Sequence, residues 1–367
     1  MFDAPARIRQ LRLDPGRRIL VISDIHGNLP YFKGVLNKAG FCANDELILN
    51  GDFLEKGAES LATLRYIMEL SKRGNVHAVC GNCDSWFSIY TESSEAADEH
   101  ILQYMLWRKR GLLWDMCNAS GIDPFEIESF AECKAKLLRA FPEEWRFLSK
   151  LPHAIETEKF IFAHAAVDPG KPLRQHTVSE LTKCDRFLDL GRRFDKWVVV
   201  GHYPVMLYGT DKVCANPLID RERHVISIDG ACVLKDDGQL NALIIPDKLS
   251  EDFGFVAYDP FPEYRVLDDQ QEGERSYYIR WGDNAVRVIE RGEEFSLCQH
   301  VRTGYKMRIL TKYLFTDEKY TDCNDCTDYV LPLKKDDIVR VVETTSIGYF
   351  VKHKGWSGWY YGRLEKA

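Results

Sequence analysis

Six residues able to bind a divalent cation recur at one kind of place in this sequence. Asp24 and His26 lie in D-I-H-G-N, Asp52 in N-G-D, Asn82 in G-N-C-D, His164 in F-A-H-A and His202 in V-G-H-Y-P, each at or just beyond the end of a short apolar run. Asp, Asn and Gly end strands and open turns in any protein, so one G-D or G-H carries little weight. The same ending on five separate runs is a pattern. In open α/β sheets, ligands gather beyond the carboxyl ends of the strands, so these side chains would converge on one crevice. Mixed nitrogen and oxygen donors suit Mn, Fe, Zn or Co better than Ca or Mg.

The elements that must position them are legible. RILVISD (18–24), ELILNGD (46–52), VHAVCGN (76–82), FIFAHA (160–165), KWVVVGH (196–202) and HVISIDG (224–230) read as buried strands. Between the second and third, Leu61, Leu64, Ile67, Met68 and Leu70 fall at helical spacing and Gly74 is a stop signal. Alternating strands and helices imply an α/β layered domain. Residues 86–150, rich in Leu, Trp, Phe, Glu and Lys, read as several helices broken near Gly121–Pro124 and Pro142, an inserted helical cap. From Tyr277 onward the pattern is strand-like and helical periodicity disappears, which predicts a second, all-β region. FGFVAYDPFP (253–262) is the expected linker, since its prolines interrupt regular structure.

Composition bounds the rest. The 367 residues with 45% hydrophobic content can bury more than one core, and a net charge of −7 argues against a protein that holds duplex nucleic acid or an anionic membrane over a broad face. No run approaches the about 18–20 apolar residues of a membrane span, and the N-terminus lacks the apolar core of a secretory signal, so a cytoplasmic address is expected. The 11 cysteines are odd in number and scattered, as expected for reduced thiols. Cys323 and Cys326 form a CxxC pair that reads as a loop with two free thiols; a structural zinc site would usually need a second pair.

In combination these motifs resemble the calcineurin-like metallophosphoesterase superfamily, in its branch of serine/threonine protein phosphatases and diadenosine tetraphosphatases. That branch carries D-x-H, then G-D-x-x-D-R-G-x-x-S, then G-N-H-E/D, an isolated His and G-H. Here the matching residues are Asp24-Ile25-His26, Gly51-Asp52 through Glu55-Lys56-Gly57 to Ser60, Gly81-Asn82-Cys83-Asp84, His164 and Gly201-His202, over roughly residues 15–247. The resemblance implies a β-sandwich flanked by helices and two divalent metal ions. Asp24 and His26 would hold one, Asp52 would bridge, and Asn82, His164 and His202 would hold the other. Manganese is the expected metal, with iron or zinc as alternatives. Such a pair, about 3.5–4 Å apart, clamps a phosphate and lowers the pKa of water for in-line attack. With Asp24 and Asp52 the only anionic ligands, the site stays net positive despite the acidic surface.

The resemblance also implies a catalytic group of Asp52, Cys83, Asp84 and Glu55, and phosphate contacts from Lys56, Arg186 and Asn82. Three of these depart from the pattern. Glu55-Lys56 replaces Asp-Arg, and Lys lacks the planar fork that grips two phosphate oxygens. Arg186, in LTKCDR, is the nearest match to a second phosphate-binding Arg. Cys83 replaces the His credited with protonating the leaving group; a thiol is a poor donor, so Cys83 either gives weak acid help or packs under the metals. Aryl esters, phosphodiesters or nucleotide phosphates become the favoured leaving groups.

Residues 305–367, containing VLPLKKDDIVRVVETTSIGYFVKHKGWSGWYYGRLE, resemble SH3-like barrels. TDEKYTDCNDCTD (316–328) would form the acidic loop, and Trp359-Tyr360-Tyr361 replaces the late Pro-x-x-Tyr of peptide-binding members. The expected layout is a phosphoesterase domain at 1–250, a connecting segment at 251–304 and the SH3-like domain at 305–367. The expected activity is a metal-dependent phosphatase on a phosphoprotein, favoured because the tail resembles an interaction module and could hold a protein partner. Phosphodiester or diadenosine polyphosphate hydrolysis is the alternative, and an inactive scaffold the second alternative.

Overall fold

The computed structural model describes residues 4–85 and 94–367. The chain divides into two compact units: one of Met1–Pro204, Pro217–Leu234 and Gly238–Asp259, the other of Val205–Asn216, Lys235–Asp237 and Pro260–Ala367.

All six expected strands form in the first unit. Its strands are β1 (Ile8–Gln10), β2 (Ile19–Ile22), β3 (Glu46–Asn50), β4 (Val76–Val79), β5 (Ala154–Glu156), β6 (Phe160–Ala163), β7 (Trp197–Val200), β9 (Leu218–Asp220), β10 (Val225–Ser227), β11 (Leu240–Ile245) and β12 (Gly254–Tyr258); β8 (Val213–Cys214) belongs to the second unit. One sheet has the order β12-β11-β2-β3-β4 and the other β1-β5-β6-β7-β10-β9. β2, β3 and β4 are parallel, as are β6, β7 and β10, so each sheet presents three carboxyl ends along one edge.

Side-chain alternation explains why these strands read as continuous apolar runs. Ile19, Val21, Ile48 and Val79 meet Phe160, Phe162, Trp197, Val199 and Ile226 in one core. Leu20, Ile22, Leu47 and Leu49 face the other way, against helices. A strand buried on both faces needs apolar residues at every position. The layers are therefore helix, sheet, sheet, helix.

The helices are α1 (Leu29–Lys38), α2 (Ser60–Ser71), α3 (Glu95–Arg108), α4 (Leu112–Ala119), α5 (Phe130–Ala140), α6 (Pro142–Ser149) and α7 (Val178–Thr182). The expected insert is helical wherever it is described; its first residues, 86–93, lie outside the described residues. Ile101, Met105, Met116, Phe130 and Leu137 share one core with α1, α2 and the outer face of β2 and β3, so the insert extends the core. Two carboxylates cross to fasten it. α2 has no side-chain cap of its own, and Asp115 of α4 accepts from Leu61 N at 3.0 Å. Glu55, in the loop before α2, accepts in turn from Leu112 N at 3.0 Å, at the start of α4. Each satisfies a helix N–H that lacks an intrahelical partner.

The stretch expected as a linker contains β12, an edge strand antiparallel to β11. The prolines that suggested irregular structure, Pro260 and Pro262, follow the strand rather than interrupt it.

The second unit is all-β, as expected from Tyr277 onward. It comprises β13 (Glu263–Val266), β14 (Tyr278–Ile279), β15 (Ala285–Glu290), β16 (Phe295–His300), β17 (Lys306–Leu310), β18 (Tyr320–Asp322), β19 (Cys326–Thr327), β20 (Ile338–Thr344), β21 (Tyr349–His353), β22 (Trp356–Tyr360) and β23 (Leu364–Lys366), together with β8. Residues 305–367 do not close on themselves: β20 to β23 share a sheet with β13 and β8, while β17 and β18 flank β16 and β15. Two cores result, one around Val266, Leu331, Val339, Val351 and Tyr360, the other around Ile279, Val286, Cys298, Met307 and Ile309. The acidic stretch expected as a loop supplies β18 and β19. Alternation identifies strands but not their partners, which is why a local meander was expected. No helix among the described residues is long and apolar enough to cross a membrane.

Candidate metal centre

The six expected ligands stand where the parallel strands end. Asp24, His26, Asp52 and His202 all have left-handed backbone, with φ of 58°, 51°, 51° and 67°. Such a conformation costs a non-glycine residue roughly 1–2 kcal/mol. Three of the four follow β2 and β3 of one sheet and His202 follows β7 of the other, so the strain gathers where the carboxyl ends of the two sheets meet. The motif glycines make room for it: a Cβ on Gly81 would overlap Asp52 Oδ1, and one on Gly201 would overlap Asp24 Oδ2.

Asn50, the last residue of β3, holds the two sheets together beneath the site. Its amide donates to Ala163 O and Val199 O, each at 3.0 Å, on β6 and β7. Its carbonyl accepts from His164 Nδ1 at 3.1 Å, which turns Nε2 toward Asp52 Oδ1 at 3.3 Å. His26 Nδ1 faces Leu54 O at 3.4 Å, leaving Nε2 buried without a hydrogen bond. Asp24 accepts His202 N at 3.0 Å through Oδ2, while Oδ1 is unpaired and 3.8 Å from His26 Nε2.

Two clusters emerge among the described residues, each with ligand atoms within 4.8 Å of one another: His26, Asp52 and Cys83, and Asp52, His164 and His202. Asp52 is common to both. The Asn82 amide atom that points into the second cluster lies 2.8 Å from His202 Nδ1, 3.2 Å from His164 Nε2 and 3.1 Å from Thr182 O. With the amide oxygen in that place it pairs with His164 Nε2 but faces Thr182 O and His202 Nδ1 as acceptor to acceptor, and Asn82 Nδ2 donates to Cys83 Sγ at 3.4 Å. A convergence of buried, unpaired acceptors is what a cation satisfies, so the residues fit a pair of divalent metals.

Titration follows the same geometry. Burial pushes His26 and His202 each down to about 3, the neutral form a metal ligand needs. Burial also raises Asp24 to about 6, opposed by His164. Against burial, the Asp52 carboxylate raises His164 to about 10, and His164 in return holds Asp52 well below the usual carboxylate range. Burial and Asp52 push the Cys83 thiol up.

The other expected site residues separate. Asp84 is a fastening: its two oxygens accept from Asp52 N, Gly81 N, Phe53 N and Leu54 N at 2.7–3.1 Å, tying the G-D loop to the G-N-C-D loop. Glu55 turns its carboxylate to α4, where burial raises it to about 7. Lys56 faces the centre; against the cost of burial, Cys83, Asp52, Asp24 and Asp229 raise its pKa. Arg186 is part-exposed and engaged by Asp189 at 2.5 Å and Tyr203 OH at 3.3 Å. Cys323 and Cys326 take no part in the metal clusters found among the described residues.

Two residues escaped the sequence reading. Asp229 follows β10, with Oδ2 buried and unpaired and Oδ1 accepting from Ala231 N at 2.8 Å. HVISIDG ends as the other five runs do, so the same rule would have found it. Asp185 Oδ1 lies 3.5 Å from His202 Nε2, on the opposite side of the ring from Asn82, without a hydrogen bond to it.

The model of the calcineurin-like phosphoesterase family matches residues 17–216, more than half of the chain. The chain belongs to that family. Among curated proteins, this phosphoesterase is 38% identical over 152 residues to a symmetrical bis(5'-nucleosyl)-tetraphosphatase of Haemophilus ducreyi, a match spanning 41% of this chain and 45% of the relative. The phosphoesterase spans less than half the length of the curated relatives it matches. Among solved structures, a protein serine/threonine phosphatase from Saccharomyces cerevisiae is 14% identical, with 70% of this chain and 84% of that one covered at a TM-score of 0.42. A metallophosphoesterase from Sphaerobacter thermophilus is 18% identical, with 66% and 89% covered at a TM-score of 0.38.

Proposed function

We propose that this phosphoesterase is a two-metal-dependent hydrolase of nucleoside polyphosphates, with diadenosine polyphosphates as the first substrate class. One observation carries the hydrolase reading: the buried Asp24 Oδ1 and His26 Nε2, which no hydrogen bond satisfies, gather with Asn82, His164 and His202 around Asp52. The cations, when bound, supply Lewis acidity toward phosphoryl oxygens and toward an attacking water.

The chain's own residues supply the rest. Asn50 and Asp84 hold the ligand loops in register, and the Lys56 ammonium meets a phosphoryl oxygen as a point charge. Arg186, tied to Asp189 and Tyr203, steers substrate from the rim. Cys83 stands where relatives carry histidine and offers little acid help, which favours a leaving group stable as an anion. A nucleotide phosphate is one, and an alkoxide such as serine's is not. The curated relatives are named for a nucleotide substrate, which supports the same choice. The phosphoprotein reading rested on the tail's resemblance to an interaction module, and the strands of 305–367 pair outside that segment.

The test is a panel with manganese-loaded protein: diadenosine tetraphosphate, a bis-aryl phosphodiester, an aryl monophosphate and a phosphothreonine peptide. Diadenosine tetraphosphate is expected to give the highest kcat/KM. A peptide-first ranking would return the phosphoprotein reading, and bound metal with no turnover would leave the scaffold reading.

A further inference from the structure

Cys83 is the residue the two-metal scheme leaves over. Its backbone N–H donates to Asp52 Oδ1 at 2.8 Å, which fixes it against the bridging carboxylate. The Cys83, His26 and Asp52 ligand atoms all lie within 4.8 Å of one another, and all three residues are buried. His26 Nε2 and Asp24 Oδ1, the acceptors on that side of Asp52, have no hydrogen-bond partner. With the Asn82 amide oxygen turned to His164 and His202, its Nδ2–H reaches Cys83 Sγ at 3.4 Å. One amide thus orients both clusters, presenting oxygen to one and an N–H to the sulfur of the other. The sulfur accepts that bond while its S–H lies against the Asp52 carboxylate, so it is held beside the residue common to both clusters.

We propose that Cys83 is a thiolate ligand of the cation held by Asp24, His26 and Asp52, making that position a mixed nitrogen, oxygen and sulfur site. On binding, the S–H bond breaks heterolytically, the sulfur lone pair forms the metal bond and the proton leaves to solvent; no electron is transferred. Thiolate ligation selects Zn, Fe or Co over Mn and Mg, so the two positions differ in metal preference. A ligated thiolate has no proton to give, which removes position 83 as an acid. The inference rests on the reading that this site binds divalent cations.

Cobalt(II) separates the two. The full apo chain is titrated anaerobically with cobalt, bound metal is measured after dialysis, and near-ultraviolet absorption is recorded. The expected result is cobalt bound near two per chain with an intense sulfur-to-cobalt charge-transfer band, lost in Cys83→Ser. That variant is expected to bind zinc about tenfold or more weakly while its manganese affinity moves less. Cobalt bound without the band in the wild type, or a band that persists in Cys83→Ser, overturns thiolate ligation and leaves the two-metal reading standing. No cobalt bound overturns both. Absence of the band in the wild type overturns thiolate ligation even where the variant folds poorly.

Discussion

Asp84 and Lys56 sit within the same few residues of sequence motif and do different work. Asp84 accepts four backbone N–H groups, so it positions Asp52 without facing a reacting atom. Asp84→Asn replaces one acceptor oxygen by a donor and strands two of those N–H groups, each at a cost of about 1–3 kcal/mol. Chemical denaturation is expected to show a loss of roughly 2–6 kcal/mol, and equal stability would refute the fastening role. Lys56→Ala removes a charge-assisted contact worth about 1.5–3 kcal/mol, so kcat/KM is expected to fall roughly 10–150-fold with the melting temperature nearly unchanged. Arg186→Ala, whose side chain is held by Asp189 and Tyr203, is expected to cost less in the same assay. If the two rank the other way, the phosphate contact belongs to Arg186. The six proposed ligands were legible because each motif names a residue type at a strand end. Asn50 was not, because its role is to reach two strands of the other sheet.

At the scale of elements, the crossed caps between α2 and α4 decide how the insert is held. Glu55 is buried and raised to about 7, and Asp115 is raised to about 6, chiefly by burial in both cases. An acid with a raised folded pKa binds more protons folded than unfolded, so its ionisation opposes folding. The penalty is absent below the unfolded pKa, grows as pH rises toward the folded one and is constant above it. For Glu55 it amounts to about 3 kcal/mol at full ionisation. Glu55→Gln keeps an oxygen for Leu112 N without the charge. Its melting temperature is expected to match the wild type near pH 4, below the unfolded pKa, and to rise above it by pH 8. A gap that does not change with pH would show that Glu55 ionises as an ordinary surface carboxylate. The helices of the insert were legible from composition, but the use of Glu55 was not, because its motif position pointed to the metals while its side chain meets a helix 57 residues away.

For the whole molecule, the boundary between units is not a single cut. Residues 205–216 and 235–237 leave the phosphoesterase sequence and join the second unit, where Val213–Cys214 pairs with Trp356–Tyr360. A chain ending at Asp259 therefore loses the strand that pairs Val213. It is expected to be poorly soluble or to melt well below the full protein, as calorimetry would show; an unchanged transition would mean that these segments need no partner. What the sequence alone determined was local: which runs are strands, which residues end them and, through the resemblance those motifs carry, the expectation of a two-metal phosphoesterase centre. Each of those readings depends on residues within a few positions of one another. The tertiary structure decided what depends on partners far along the chain. It gave β13 and β8 as neighbours to strands expected to form a separate barrel, sent Glu55 to α4, and set Cys83 beside His26 and Asp52. Backbone pairing and burial depend on which surfaces meet, and no local pattern of residues records that.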